Sequence, residues 1–284
     1  MLRPFIIILF FLFANVLLAN DGDFVFQKAD SLIFEDYIKQ YGNDKEKPIN
    51  ELMVSTAKYF SGKPYVASTL EIGDKENLVI NLREFDCTTL VENCIALSFV
   101  IKSDDLSFDN YCQILKNIRY RNGEIDGYIS RLHYTSDWIY ENQKSGLLKN
   151  ITLEIGGKVV QKPVNFMSSH SHLYKHLKDN TQNIKELKKI EQNINKRYNF
   201  AILSVSDIER NKDKIKNGDI IAFSTSVAGL DYSHIGIACW QNNDLHFIHA
   251  SSRQKEVVLE KKTLTNYCKN SKSCTGISIL RLID

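Results

Sequence analysis

Three residues that lie far apart in the chain have the side-chain types used by cysteine hydrolases. Cys87 follows Asp86 and opens a long apolar run, as expected for the first turn of a buried helix. Backbone N–H groups and the helix dipole at such a position are expected to stabilise a thiolate. His234 stands in an apolar, strand-like segment and could act as the base, and His249, one hairpin later, could orient it. This combination predicts nucleophilic catalysis by a cysteine.

The elements that must position these residues are a helix and a sheet. Residues 87–100 are apolar nearly all round, which predicts a helix in the middle of a domain. The final third of the chain holds short extended segments at residues 219–223, 235–240, 245–249, 257–259 and 277–280. Turns separate them, including a hairpin turn at residues 242–244, so we predict an antiparallel meander. A central helix packed on this C-terminal sheet is an α+β architecture.

The rest of the chain predicts further helices. Apolar spacing indicates one helix within residues 23–41 and a second that starts at Pro48, and residues 78–82 are typical of a short strand before the Cys87 turn. Residues 103–198 mix short helices with a hairpin signal at Gly156-Gly157. The lysine-rich residues 185–196 are best interpreted as a solvated helix face.

Composition limits the classes of protein to which this chain can belong. It has 284 residues, of which 43% are hydrophobic and 25% charged, so a packed core is expected and disorder is not. The formal charge is +2 and no basic stripe is present, so no nucleic-acid partner is predicted. No linker or repeat divides residues 20–284, which we therefore expect to form a single domain with an N-terminal helical extension.

The first residues predict export. Arg3 precedes the apolar residues 5–13, and the apolar run continues to Ala19. This run is short for a membrane span, which needs roughly 20 residues, and fits a signal peptide over residues 1–19 with cleavage near Ala19. An uncleaved anchor is the alternative. After cleavage we expect a periplasmic or secreted protein without a stable membrane span.

The remaining cysteines need separate interpretations in an exported protein. Cys94 and Cys239 lie in apolar segments and are expected to be buried packing residues, and Cys112 lies on a predicted helix. Cys268 and Cys274 flank a short polar turn between two segments expected to be extended, which could bring their Cα atoms within bridging range. They are the best candidates for a disulfide, and two free thiols are the alternative.

Several motifs resemble a known superfamily. Residues 86–90 resemble the nucleophile motif of NlpC-type cell-wall cysteine peptidases, and residues 217–223 the strand before their catalytic histidine. Residues 233–238 resemble the histidine strand, and residues 247–250 the strand that carries the third catalytic residue. The resemblance implies a papain-like fold and a Cys87–His234–His249 triad. His246 is a neighbouring alternative to His249, depending on the strand register.

Longer segments resemble one branch, the exported bacterial N-acetylmuramoyl-L-alanine amidases. They are residues 62–71, 81–89, 130–138 and 165–168. The resemblance implies cleavage between N-acetylmuramic acid and L-alanine in peptidoglycan fragments, with anhydro-muropeptides preferred. Two alternatives remain: an endopeptidase that cuts between D-glutamate and the diamino acid, and a muropeptide-binding protein without activity.

These segments also supply candidate substrate-binding residues, which combine aromatic and hydrogen-bonding groups suited to a sugar. They are Tyr65, Glu71, Arg131, His133, Ser136, Asp137, Trp138, Asn165 and Ser168. The alternative for the central group is structural, with Ser136 or Asp137 capping a helix and Trp138 in the core.

A metal site is a weaker interpretation of the histidines at 170, 172 and 176. His172 and His176 have the spacing of one helix face, but no glutamate stands between them in the metalloprotease pattern. A polar surface helix is the better interpretation, so neither a metal nor an organic cofactor is implied.

Overall fold

A computed structural model describes residues 18–21, 24–197 and 200–284 of the chain. The predicted signal segment therefore lies outside the described residues except for its last two positions. The helices are α1 (Lys28–Tyr41), α2 (Ile49–Tyr59), α3 (Cys87–Lys102), α4 (Phe108–Arg119), α5 (Thr135–Lys144), α6 (Phe166–Ser169), α7 (Thr181–Arg197), α8 (Val205–Asn211) and α9 (Leu264–Asn270).

The strands are β1 (Leu18–Asp21), β2 (Phe24–Gln27), β3 (Leu78–Val79), β4 (Leu148–Asn150), β5 (Lys158–Val160), β6 (Phe200–Ser204), β7 (Ile220–Thr225), β8 (Tyr232–Gln241), β9 (Asp244–Ser251), β10 (Glu256–Leu259) and β11 (Cys274–Leu282). The helix predicted within residues 23–41 thus begins only at Lys28, because residues 24–27 pair with β1 and β3 in a small sheet.

The main sheet has eight strands, and every pairing in it is antiparallel. Its order is β10-β9-β8-β7-β11-β6-β5, and β4 pairs with the same edge of β11 as β6 does. Strands β7 to β10 form the predicted meander, and the β8–β9 turn places Asn242 and Asn243 at positive φ, as a tight hairpin requires. The expectation of an α+β protein with an antiparallel sheet is confirmed.

Helix α3 lies in the core, as its apolar composition predicts. Its residues from Thr89 to Ser98 are all buried, and it contacts α2, α4, β8 and β9. Even its charged residue Glu92 is buried, where it accepts a hydrogen bond from Arg119 Nε at 2.7 Å. An ion pair of this kind leaves neither charge unpaired in the interior. The packing fixes the start of α3 against the sheet.

Of two predictions for the middle of the chain, the structure contradicts one and confirms the other. Gly156-Gly157 does not close a hairpin, because β4 pairs with β11 while β5 pairs with β6. Helix α7 has the predicted solvated face, because its lysines are exposed, while Leu187, Glu191 and Ile194 are buried against neighbouring elements. The abundant lysines of α7 mask this apolar stripe.

Within the described part of the chain, no helix is both long enough and apolar enough to cross a membrane.

Candidate active site

Cys87 is the first residue of α3, and a capping box fixes its position. The Asp86 carboxylate accepts the Thr89 N–H at 2.8 Å, while the Thr89 hydroxyl accepts the Asp86 N–H at 2.9 Å. These reciprocal bonds satisfy two donors at the helix start. The first turn of α3 is therefore held rigidly, and Cys87 with it.

The Cys87 sulfur lies against β8. The backbone N–H of Ile235, the residue directly after His234, donates a hydrogen bond to it, as does the Thr88 hydroxyl. Burial, and secondarily the charge of Asp86, nevertheless raises the pKa of the thiol to about 12. The expectation of a resting thiolate is therefore wrong, because desolvation outweighs the donors at the helix start. A reaction at Cys87 would therefore require the thiol to lose its proton.

His234 and His249 form a direct imidazole pair. His234 Nε2 and His249 Nδ1 are 2.6 Å apart, and the two rings meet edge to face. The register of β8 and β9 pairs Ile237 with Ile248, which puts Gly236 opposite His249. A Cβ atom on Gly236 would lie 3.3 Å from the His249 Cβ and 2.9 Å from a Phe247 ring carbon. The glycine therefore admits His249.

A β-bulge lies beside His234. Phe223 pairs with His234 and Ser224 with Tyr232, so Ser233 has no partner residue on β7. Bulges bend a strand and redirect its side chains, and they are common next to active sites. Tyr232 thereby reaches Ser278 across the sheet at 2.7 Å, while the His234 ring lies 5.5 Å from that of Phe223.

Both histidines are neutral in the folded protein. Burial and the neighbouring His249 lower the pKa of His234 to about 3, and burial lowers the pKa of His249 to about 4. A neutral imidazole can accept a proton, which is what a buried thiol needs from its partner. Of the two candidates for the third position, His249 is the one that contacts His234, whereas His246 Nδ1 lies 3.0 Å from the Glu260 carbonyl oxygen.

Comparison with known proteins assigns the family. A family model described as AmiA-like, N-acetylmuramoyl-L-alanine amidase-like, matches residues 55–277. The chain belongs to this AmiA-like family. The match spans Cys87, His234 and His249, and it confirms the expectation of an amidase enzyme.

Solved structures agree with this assignment. An N-acetylmuramoyl-L-alanine amidase from Bacteroides uniformis is 38% identical, with a TM-score of 0.79 over 83% of this chain and 99% of that chain. A Bacteroides fragilis protein provisionally described as a xylanase is 40% identical, with a TM-score of 0.76 over 80% of this chain and 100% of that one. A Legionella pneumophila protein is 25% identical, with a TM-score of 0.67 over 90% and 95% of the two chains. A search of curated proteins finds no match.

In this AmiA-like chain, Tyr65 is a predicted binding residue that lies near Cys87. Burial raises its pKa, and the neighbouring Cys87 and Asp86 add to the shift. Its backbone N–H donates to the Lys255 carbonyl at 2.8 Å, and Tyr65 also bridges to Phe85. These contacts tie the segment before α3 to the β9–β10 loop. Tyr65 remains a predicted binding residue.

Glu71, Arg131 and His133 form a second group with Tyr128 and His176. Arg131 is buried and pairs with Glu71 at 2.5 Å. His133 Nε2 lies 2.7 Å from the Tyr128 carbonyl oxygen, and burial lowers the pKa of His133 to about 3. His176 stacks on the Tyr128 ring and lies 3.4 Å from Glu71. The structure brings these predicted binding residues together around one charge cluster.

Asp137 and Trp138 have structural contacts instead of the predicted binding role. Trp138 is 2% exposed and lies in the core, so its ring cannot stack on a sugar. Asp137 pairs with Arg121 at 2.5 Å and with Arg197 at 2.8 Å. The Ser136 N–H donates to Asp231 at 2.7 Å, which ties the start of α5 to the residue before β8. The start of α5 thus helps to hold the beginning of β8 in place.

Asn165 and Ser168 lie at helix α6. Asn165 is exposed and its backbone N–H donates to Gly229, in the loop before β8, at 3.0 Å. The Ser168 N–H and hydroxyl both donate to the buried Glu191, at 3.0 and 2.5 Å. Ser168 is thus occupied by a carboxylate, while Asn165 remains free to face a ligand.

The histidines at 170, 172 and 176 do not share a helix. His172 lies in a short 3₁₀ helix, Ser171–Leu173, and His176 lies beyond its end, so the predicted polar surface helix is wrong. His170 Nδ1 lies 2.8 Å from the Phe166 carbonyl oxygen. Among the described residues, no group of three or more His, Cys, Asp or Glu side chains is arranged to hold a metal ion.

Cys268 and Cys274 are adjacent and carry free thiols in this structure, and a disulfide between them stays a prediction. Their side chains hydrogen-bond each other, which raises the pKa of Cys268 and lowers that of Cys274. Cys268 lies on α9, whereas the sequence suggested an extended segment. Cys94 and Cys239 are buried, as predicted for packing residues, and Cys112 lies on the predicted helix, α4, where it is buried as well.

Proposed function

We propose that this protein hydrolyses the amide bond between N-acetylmuramic acid and L-alanine in peptidoglycan fragments, with Cys87 as the nucleophile. The Cys87 sulfur attacks the lactyl carbonyl carbon while His234 accepts the thiol proton. His234 then gives that proton to the departing L-alanine nitrogen, and a thioester to the muramic acid remains. Water hydrolyses the thioester and restores the thiol. Each step balances without a metal or cofactor.

The observation that carries this proposal is the contact between the Cys87 sulfur and β8 directly beside His234. A buried thiol with a raised pKa and a neutral imidazole on the neighbouring residue are complementary, because proton transfer and attack can be concerted. His249 holds the His234 ring by the 2.6 Å contact between Nε2 and Nδ1. This is the Cys–His–third-residue logic of papain-like enzymes.

The start of α3 supplies donors for the developing oxyanion. The Asp86 side chain takes the Thr89 N–H, and the Leu90 N–H donates to the Asp86 carbonyl. Among the described residues, the N–H groups of Cys87 and Thr88 have no oxygen acceptor, as is usual for the first turn of a helix. When the Cys87 sulfur bonds to the carbonyl carbon, the negative charge that develops on the carbonyl oxygen would be stabilised by these donors and by the positive end of α3.

Fold and location extend the same proposal. A helix that begins with the nucleophile and packs on an antiparallel sheet bearing the two histidines supports a papain-like, NlpC-type fold. The apolar residues 5–13 after Arg3 support export to the periplasm or beyond, where peptidoglycan lies.

Substrate choice follows from the segments around Tyr65 and Arg131. Both offer groups that could stack on or hydrogen-bond to a sugar, so we propose that the enzyme requires the sugar and prefers the compact anhydro form. Reducing-end sugars carry extra hydroxyls and a different ring shape. Each polar group left unpaired costs on the order of 1–3 kcal/mol.

A glycosidase, as the description of the Bacteroides fragilis protein would suggest, is not favoured. Glycoside hydrolysis commonly needs two carboxyl groups that flank the scissile bond. Two acidic residues of the candidate binding region, Glu71 and Glu76, are both paired with Arg131, at 2.5 and 3.3 Å. They neutralise a buried cation instead.

The test is digestion of matched anhydro-muropeptides, reducing-end muropeptides and free stem peptides, with products identified by mass. We expect release of intact peptide from the sugar, fastest for the anhydro form, and no cleavage of free peptide. Cys87→Ala and Cys87→Ser should fold normally and lose nearly all turnover. Robust turnover by folded Cys87→Ala would disprove the mechanism. A cut peptide that remains on its sugar would indicate the endopeptidase, and binding without any product the silent binding protein.

A further inference from the structure

One ring nitrogen of the buried His249 imidazole lacks a hydrogen-bond partner in the described part of the chain. Its Nδ1 faces His234, but its Nε2 is buried and has no hydrogen-bond partner within 3.5 Å in the described part of the chain. The His249 side chain is only 2% exposed, so water cannot readily satisfy that nitrogen. A buried polar atom without a partner costs free energy and calls for an explanation.

The nearest charged group to this nitrogen is the Glu260 carboxylate. Glu260 Oε2 lies 3.6 Å from His249 Nε2, and the Glu260 side chain is 11% exposed. The other oxygen, Oε1, accepts the Lys262 N–H at 3.1 Å. One carboxylate oxygen is thus held by the backbone while the second faces the histidine.

Glu260 is also fixed by its own backbone. Its N–H donates to the Phe247 carbonyl at 2.9 Å, and its carbonyl lies 3.0 Å from His246 Nδ1. Both contacts are with β9, the strand that carries His249. The carboxylate is therefore placed by the sheet, and a small movement of its side chain would shorten 3.6 Å to a hydrogen bond. Sites commonly tighten in this way once substrate is bound.

The tautomers that the reaction requires determine which ring nitrogens donate and which accept hydrogen bonds. To accept the thiol proton on Nδ1, neutral His234 must carry its own proton on Nε2 and donate it to His249 Nδ1. His249 then carries its proton on Nε2, the atom that faces Glu260. We propose that Glu260 is a positioning residue, which fixes the His249 tautomer and so the orientation of His234 in the amidase reaction.

Through His249, Glu260 would also stabilise the positive charge that His234 gains when it accepts the thiol proton. When His234 becomes an imidazolium, a neutral His249 stabilises its charge only through the dipole of the imidazole. A hydrogen bond from His249 to the Glu260 carboxylate would polarise that imidazole and strengthen the stabilisation. The other titratable group that packs on His249 is Tyr267 of α9, with ring centroids 5.9 Å apart. A neutral phenol does not replace the carboxylate. The effect of Glu260 on amide hydrolysis rests on the proposed function. Its effect on the reactivity of the Cys87 thiol does not.

The chemical consequence is measured by alkylation of Cys87 with iodoacetamide, which needs the His234 base but no muropeptide. Glu260→Gln keeps the shape and an acceptor for Lys262 but removes the charge. We expect alkylation roughly tenfold slower in Glu260→Gln, as is typical for loss of a residue that orients a functional imidazole. Glu260→Asp should keep part of the wild-type rate. Glu35→Gln, an exposed carboxylate on α1, is the matched control and should leave the rate unchanged.

Two further measurements separate positioning from a structural role. The kcat for muropeptide cleavage should fall with Glu260→Gln while KM stays constant, and the proton NMR signal of His249 Nε2–H should move upfield. If Glu260→Gln alkylates and turns over like wild type, or loses only stability, the inference is overturned. If the variant slows alkylation while no muropeptide is cleaved even by wild type, Glu260 keeps its role and the proposed substrate is wrong.

Discussion

At the scale of single residues, the site depends on close approach more than on charge. Cys87, His234 and His249 are all neutral in the resting protein because burial disfavours their ionised forms. What makes them useful is contact: the sulfur with the Ile235 N–H, and one imidazole with the other at 2.6 Å. Gly236 is the residue that permits the second contact.

Gly236→Ala tests this dependence. The new Cβ would lie 2.9 Å from Phe247 Cδ2 and 3.3 Å from His249 Cβ, so β9 must shift. We expect unfolding free energy to fall by about 1–3 kcal/mol and kcat to fall with KM nearly constant. Phe247→Leu in the same background should recover part of the stability, measured as a double-mutant cycle. Unchanged stability and kcat would show that the pair tolerates displacement.

At the scale of elements, α3 and the β8–β9 hairpin carry the proposed catalytic residues, and α9 supports the hairpin. Tyr267 of α9 packs edge-on against Phe247 at 4.9 Å and against Phe223 at 5.5 Å. The side chain of the next residue, Cys268, forms a hydrogen bond with that of Cys274 at the start of β11. The thiol pair therefore joins the supporting helix to the sheet.

We predict that Cys268 and Cys274 form a disulfide in protein recovered from an oxidising compartment. The lowered pKa of Cys274 favours the thiolate that disulfide exchange requires. The loop is shorter than 15 residues, so the gain in stability should be below about 3 kcal/mol. Peptide mapping without reduction checks this, with Cys268→Ser as control and Cys87 expected to stay reduced. Alkylation of both sulfurs before reductant would contradict it.

At the scale of the whole molecule, folding holds several histidines neutral in the interior. The pKa of His133 and of His234 is lowered to about 3, and that of His249 to about 4, chiefly by burial. An unfolded chain protonates these groups near pH 6.5. Between about pH 6.5 and 4 the unfolded state therefore binds more protons, so stability must fall as the pH falls.

We expect the unfolding free energy to fall by up to about 1.4 kcal/mol per pH unit for each neutral buried histidine below pH 6.5. Urea unfolding at pH 7, 6 and 5 measures the slope. His249→Gln should reduce this slope by up to about 1.4 kcal/mol per pH unit, the contribution of one proton. His172→Gln, which removes an exposed imidazole, serves as the control. A stability that is level from pH 7 to 5 would mean that these histidines are protonated in the folded protein.

Some features were determined by the sequence alone. Cys87 after a capping aspartate, the apolar run that follows and the strand-like segments of the final third follow from local periodicity and capping chemistry, which act over a few residues. They were enough to predict the buried helix and the meander, whereas the amidase family was predicted from the resemblance of several motifs, and Cys87 as the nucleophile stays a prediction. The signal peptide, the single-domain boundary and the anhydro preference stay predictions.

Other features were decided only by tertiary structure, because they depend on contacts between distant segments. The pairing of β4 and β6 with β11 could not be read from Gly156-Gly157, since strand partners are chosen by packing across the whole sheet. The pKa of Cys87 depends on how deeply α3 is buried, and desolvation there exceeds the local effect of the helix start. Glu260 left no local signal, because only the sheet brings its carboxylate to within 3.6 Å of His249.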